Sequence, residues 1–217
     1  MRRYDLVVFD WDGTLLDSTD TIAACLQAAC RDLGLPEPAL ETARHVIGLG
    51  VKDSLAIVAP SLPVTDYKRL SLRYREHFLR QDTELGLFAG AEALVSRLHA
   101  AAFRLAIATG KSRVGLDRSL RHTGLSGLFH ASRCADETHP KPHPAMLLEL
   151  TTMLGVDIAR TLMVGDTTHD MQMARSAGAD AVAVSYGAHA ADVLQAAAPR
   201  AVLHSIAELE TWLAQHA

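Results

Sequence analysis

Five short runs of the chain are apolar almost throughout: residues 5–9, 103–108, 128–132, 161–164 and 181–185. A strand with one wet face alternates, whereas runs this uniform suit strands buried on both faces, as in a parallel sheet. Between them, apolar residues recur at helical spacing over 91–101, 112–123, 144–154 and 168–177, with further helices near 189–197 and 205–215. The alternation predicts an α/β fold built on a doubly wound, Rossmann-like parallel sheet. Residues 10–102 break the pattern, because no convincing strand lies there. They read instead as helices over 19–33, closed by Gly34 and Pro36, then 51–58 and 66–81. A parallel crossover needs only about a dozen residues. The surplus predicts an α-helical cap over 18–84, inserted in a core made of 1–17 and 85–217. The connections at 14–18 and 83–90 are the candidate hinges.

Composition narrows the class. The 217 residues suit one domain carrying an insert, and 49% hydrophobic with 21% charged residues is ordinary for a globular chain. Net charge is −4 with neutral histidines, and neither sign forms a long block. Lys68, Arg69, Arg73 and Arg75 alternate with apolar residues and read as the wet face of a helix. No nucleic-acid partner is expected. No membrane is expected either, since no apolar run approaches the roughly 18 residues of a spanning helix. The apolar run at 6–9 is too short for a signal peptide and is ended by Asp10 and Asp12. Cys25, Cys30 and Cys134 form no disulfide framework, which points to reduced thiols and a cytoplasmic setting.

Ligands of open parallel sheets sit outside the carboxyl ends of the strands, so the residues delivered there carry the candidate chemistry. The first strand delivers Asp10-Trp11-Asp12-Gly13-Thr14, and the second Thr109-Gly110-Lys111-Ser112. Lys141 follows the third within Pro140–Pro144, and the fourth delivers Gly165-Asp166-Thr167-Thr168-His169-Asp170. Hard carboxylate oxygens without a His/Cys set suit Mg²⁺ better than zinc. The expected metal ligands are Asp10, Asp12 and Asp166, with Asp170 behind them. Asp10 is placed to attack phosphorus, and Asp12 to act first as general acid and then as general base. Gly13, Thr109, Gly110 and Lys141 are expected to hold phosphoryl oxygens, with Lys141 offsetting charge.

Other motifs read more simply. Asp17 and Ser18 suit the N-cap of the first cap helix. Asp170 also suits a helix cap. Lys111 lacks the preceding glycine pattern of a P-loop. Cys134, His139 and His143 have zinc-like spacing without a fourth ligand. Gly48-Leu49-Gly50 is too sparse for a dinucleotide loop, but the nearby Arg44, His45 and Lys52 are candidates for reading the far end of a substrate. Trp11 is expected to pack against a neighbouring strand or helix.

The series Asp10-x-Asp12-Gly13-Thr14-Leu15-x-Asp17-Ser18, Thr109-Gly110, Lys141-Pro142 and Gly165-Asp166-x-x-x-Asp170 resembles the haloacid dehalogenase-like hydrolase superfamily. All four of its motifs occur in order and at strand ends. Within it the chain looks most like phosphoglycolate phosphatases. The resemblance implies an aspartyl-phosphate route, Mg²⁺, and a cap that closes over a small phosphorylated metabolite. The superfamily's dehalogenases lack the second aspartate, present here as Asp12. Its β-phosphoglucomutases carry a cap histidine where this chain has Ile22. A phosphotransferase or phosphomutase of the same superfamily is the variant reading. A non-hydrolytic aspartyl-phosphate signalling module is the other, and Asp12 and the cap both argue against it. 2-Phosphoglycolate, sugar phosphates, nucleoside monophosphates and pyrophosphate all fit the motifs.

Overall fold

The computed structural model describes residues 3–217; the first two residues of the expected core segment lie outside the described residues. Six parallel strands form one sheet: β1 (Leu6–Phe9), β2 (Arg104–Thr109), β3 (Ala131–Cys134), β4 (Thr161–Gly165), β5 (Asp180–Val184) and β6 (Val202–Leu203). Their order across the sheet is β3-β2-β1-β4-β5-β6. β1 sits in the middle, with Val7 opposite Leu105 on one side and Leu162 on the other.

Both faces of β1 are buried, which explains its unbroken apolar run. Val7 and Phe9 join Leu105, Ile107, Leu162 and Val164 in one core cluster. Leu6 and Val8 join Ala106, Ala108 and Met163 in the other, against Met146, Leu147 and Leu150 of helix α7 (Ala145–Leu154) and Met171 and Met173 of α8 (Thr168–Ala177).

Helices α1 (Thr19–Asp32), α2 (Leu40–His45), α3 (Val51–Val58) and α4 (Tyr67–Leu79) all fall between β1 and α5 (Ala91–Ala100). α1 packs on α4 and α2. The chain entering and the chain leaving this helical segment run side by side. Asp17 N–H donates to Gly86 O and Phe88 N–H to Leu15 O, both at 2.9 Å. The candidate hinges are thus hydrogen-bonded to each other. Helices α6 (Arg113–Thr123), α9 (Ala191–Ala196) and α10 (Ile206–His216) complete the alternation.

The third strand departs from its expected place. It begins at Ala131 rather than 128, because β3 is an edge strand, only partly buried. The apolar Leu128 and Phe129 that suggested a strand pack instead on the core, Phe129 edge-on to Trp11 with ring centroids 6.3 Å apart. The short α2 and the two-residue β6 had no pattern long enough to reveal them. No helix among the described residues is long and apolar enough to cross a membrane.

Candidate active site

β1 ends at Phe9, and Asp10 N–H extends its ladder to Val164 O at 2.9 Å. The Asp10 side chain is 1% exposed. Its Oδ1 accepts from Trp11 N–H at 2.6 Å and lies 2.8 Å from Lys141 Nζ. Its Oδ2 is buried and has no hydrogen-bond partner. Burial pushes the Asp10 carboxyl well above its ordinary range, against the pull of Lys141.

Asp166 stands at the end of β4. Its Oδ1 accepts from Thr14 Oγ1 at 2.8 Å and its Oδ2 from Ala188 N–H at 2.7 Å. Burial, followed by the charge of Asp170, pushes it up to about 7. Asp170 does two jobs. Its Oδ2 accepts from Thr167 N–H and Oγ1 in a capping box that starts α8, while its Oδ1 lies 2.7 Å from Lys141 Nζ. The helix-cap reading of Asp170 therefore describes one oxygen and leaves the other for the site. Lys141 is wholly buried. Burial opposes its charge, but Asp10 and then Asp170 outweigh that and raise its pKa.

Oxygens of Asp10, Asp166 and Asp170 lie within 4.8 Å of one another. Three carboxylates beside one ammonium leave excess negative charge in a dry site. An oxygen-only donor set with an unpartnered Asp10 Oδ2 fits Mg²⁺. The Asp12 carboxylate is not part of that trio. Its Oδ1 accepts from Ser18 Oγ at 2.7 Å and lies 3.0 Å from Lys141's counterpart on the second strand end, Lys111 Nζ. Lys111 in turn sits over the Phe78 ring, 4.6 Å from its centroid.

Gly13 adopts φ +78°, and a Cβ there would fall 2.1 Å from Asp166 Oδ2, so no other residue lets the turn pass so close. Thr109 is buried at the end of β2, its Oγ1 accepting from Lys111 N–H at 3.2 Å. Gly110 is pressed against the helical segment, since a Cβ on it would meet Gly48 O at 2.8 Å. Trp11 packs as expected, donating from Nε1 to Ser119 Oγ of α6 at 2.8 Å.

Some side chains that matter here were given no part in the site from sequence. Ser18 does stand at the N-cap of α1 but makes no side-chain cap bond; it donates to Asp12 instead. Thr14 orients Asp166, and Lys111 holds Asp12. The only sequence signal for Lys111 was its place directly after Thr109-Gly110. Arg44 is paired with Asp20 away from the site, and neither His45 nor Lys52 lines it. The Cys134, His139 and His143 spacing gives no metal cluster among the described residues. His169 and His189 both point Nε2 at His45 O, at 2.8 and 3.1 Å. A carbonyl only accepts, so both rings donate. A cavity of about 340 Å³ opens from Asp10 and Asp12 toward α1, α3, α4 and α6.

A family model described as haloacid dehalogenase-like hydrolase matches residues 7–184. The chain is 36% identical over 211 residues to a protein named "Probable phosphatase IndB" from Dickeya dadantii (strain 3937), covering 94% of this chain and 91% of that one. It is 33% identical over 191 residues to a phosphoglycolate phosphatase from Aliivibrio fischeri, covering 84% of each. Its fold is shared with a hydrolase from Pseudomonas syringae at TM-score 0.90 and 24% identity, covering 97% of this chain and 98% of the other.

Proposed function

The chain belongs to the haloacid dehalogenase-like hydrolase family, and on that premise we propose a Mg²⁺-dependent phosphatase that hydrolyses a small phosphomonoester through a phosphorylated Asp10. One observation carries the reading. Asp10 is buried with Oδ1 fixed by Trp11 N–H and Lys141, while Oδ2 is left without a partner beside a cavity. Such an oxygen is oriented but unspent, which is what a nucleophile requires.

Residues 18–84 act in this proposal as the cap, and 1–17 with 85–217 as the catalytic core. Asp10, Asp166 and Asp170 would hold the ion. When bound, the ion supplies positive charge that keeps these carboxylates ionised and draws the phosphoryl group to them. Lys141 offsets charge on Asp10 and on the phosphoryl oxygens, and Gly13, Thr109 and Gly110 line their seat. Asp10 Oδ2 attacks phosphorus; the O–P bond forms and the ester P–O bond breaks. Asp12 in its protonated form gives its proton to the departing alkoxide. As carboxylate it then takes a proton from water, which attacks phosphorus, releases inorganic phosphate and returns Asp10. Lys111 and Ser18 hold the Asp12 side chain in place. The setting proposed is cytoplasmic, in keeping with three free, buried cysteines.

The test is phosphate release from p-nitrophenyl phosphate with Mg²⁺. Asp10→Asn and excess EDTA are each expected to abolish it. Equal rates for the variant and the parent would remove Asp10 as nucleophile.

A further inference from the structure

We infer that the ester cleaved here is that of an apolar alcohol or phenol, rather than of a hydroxy acid or a sugar; this rests on the phosphatase reading above. The floor of the cavity is polar and belongs to the chemistry, with Asp10 and Asp12 lining it. The walls above are mainly apolar, with Ser71, Tyr74 and Ser112 as isolated hydroxyls among them. Ile22 of α1, Leu55 of α3 and Phe78 of α4 face into it, and none of them carries a group that can pair with a substrate hydroxyl or carboxylate.

The mouth extends that surface. Val51 is 58% exposed, Leu79 40% and Val114 61%, and all three line the same cavity. Each comes from a different helix or helix start: α3, α4 and α6. Scattered exposed aliphatics need no explanation, but three converging on the opening of a catalytic cavity form an apolar collar.

The cations tell the same story. A carboxylate on the substrate needs a free positive charge within the chamber. Lys111 is engaged by Asp12 and by the Phe78 ring. Arg118 is paired with Asp82. Arg75 also lines the cavity but from an exposed position, where water screens its charge. Sugar hydroxyls find few partners, since the lining hydroxyls besides Ser54 are only those of Ser71, Tyr74 and Ser112. Ser54 already donates to Val46 O and Gly50 O, at 3.2 and 3.1 Å. Each hydroxyl buried without a partner lowers affinity by roughly tenfold. A cavity of about 340 Å³ has room for more than a two-carbon acid, and its lining rewards carbon.

The experiment measures kcat/KM with Mg²⁺ for the straight-chain series from propyl to octyl phosphate, for phenyl and naphthyl phosphate, and for 2-phosphoglycolate and glycerol phosphate. We expect a rise of about fourfold per methylene until the cavity is filled. Naphthyl phosphate should exceed phenyl phosphate, and the two polar esters should rank last. Val114→Asp and Leu79→Asp change exposed side chains, so the fold tolerates them. Each should lower the octyl-to-propyl ratio about tenfold. A flat series, a leading rank for 2-phosphoglycolate or glycerol phosphate, or an unaltered ratio in both variants overturns the inference while leaving the phosphatase reading in place. Failure to cleave any ester removes that reading, and the inference with it.

Discussion

Lys141 is the one ammonium among Asp10, Asp166 and Asp170, and it touches two of them. Removing one partner of a buried ion pair leaves an uncompensated charge, at a cost of about 3–5 kcal/mol. Lys141→Met is therefore expected to lose stability on that scale in urea unfolding, and to lose phosphate release as well. A fully active, fully stable variant would exclude the role given to Lys141. Asp12→Ala should slow turnover by about 10²–10⁴-fold, the range of a positioned acid–base group. At this scale the sequence was informative for residues that follow a strand directly. Asp10, Asp12, Thr109 and Asp166 were placed by the strand ends alone, and the structure brings Asp10, Asp166, Asp170 and Lys141 together. The bonds of Thr14, Ser18 and Lys111 within the site were not assigned, because their partners are chosen by how the turns fold back rather than by local spacing.

Between elements, the segment after α2 closes directly on the strand ends. A Cβ on Gly50 would lie 2.7 Å from Pro140 Cγ, in the loop that delivers Lys141. Gly50→Ala should hold the segment off and raise KM, whereas Gly86→Ala, with nothing within 4 Å of its Cβ, should not. Steady-state kinetics of the two variants decide this. The same seam carries a pH dependence. His189 is buried, accepts from Thr168 N–H at Nδ1, and has its pKa pushed down to about 4 by burial. A depressed pKa gives stability that is present above the unfolded value of about 6.5 and is lost as pH falls toward about 4. Thermal midpoints of the parent should drop across that window, and His189→Asn should flatten the drop. An equally steep fall in the variant would assign the acid sensitivity elsewhere. The misplaced third strand belongs to this scale too: edge position relaxed the apolar requirement on 131–134, while the apolar residues before it served Trp11.

For the molecule as a whole, strand order explains the site. β1 lies between β2 and β4, so the carboxyl ends of all three open on one crevice. An ion that binds the folded chain and not the unfolded one stabilises it by about 2.7 kcal/mol at a hundred times its Kd. Mg²⁺ should thus raise the thermal midpoint by several degrees, and Asp166→Asn should blunt the gain. An equal gain in the variant would move the ion from the proposed trio. The β–α alternation made this architecture legible from apolar runs alone. The closure of residues 46–50 onto Gly110 and Pro140 was not legible, since glycines mark where backbone can approach without saying what approaches.

The central place of β1 also sets the order of events during synthesis. Asp10, the proposed nucleophile, is made almost first, yet β2 and β4, which flank its strand, begin only at Arg104 and Thr161. At cellular elongation rates that wait is on the order of ten seconds. A chain cut short midway therefore bears Asp10 without Lys141 or Asp166, and under the proposed mechanism it has no means to turn over a phosphate ester.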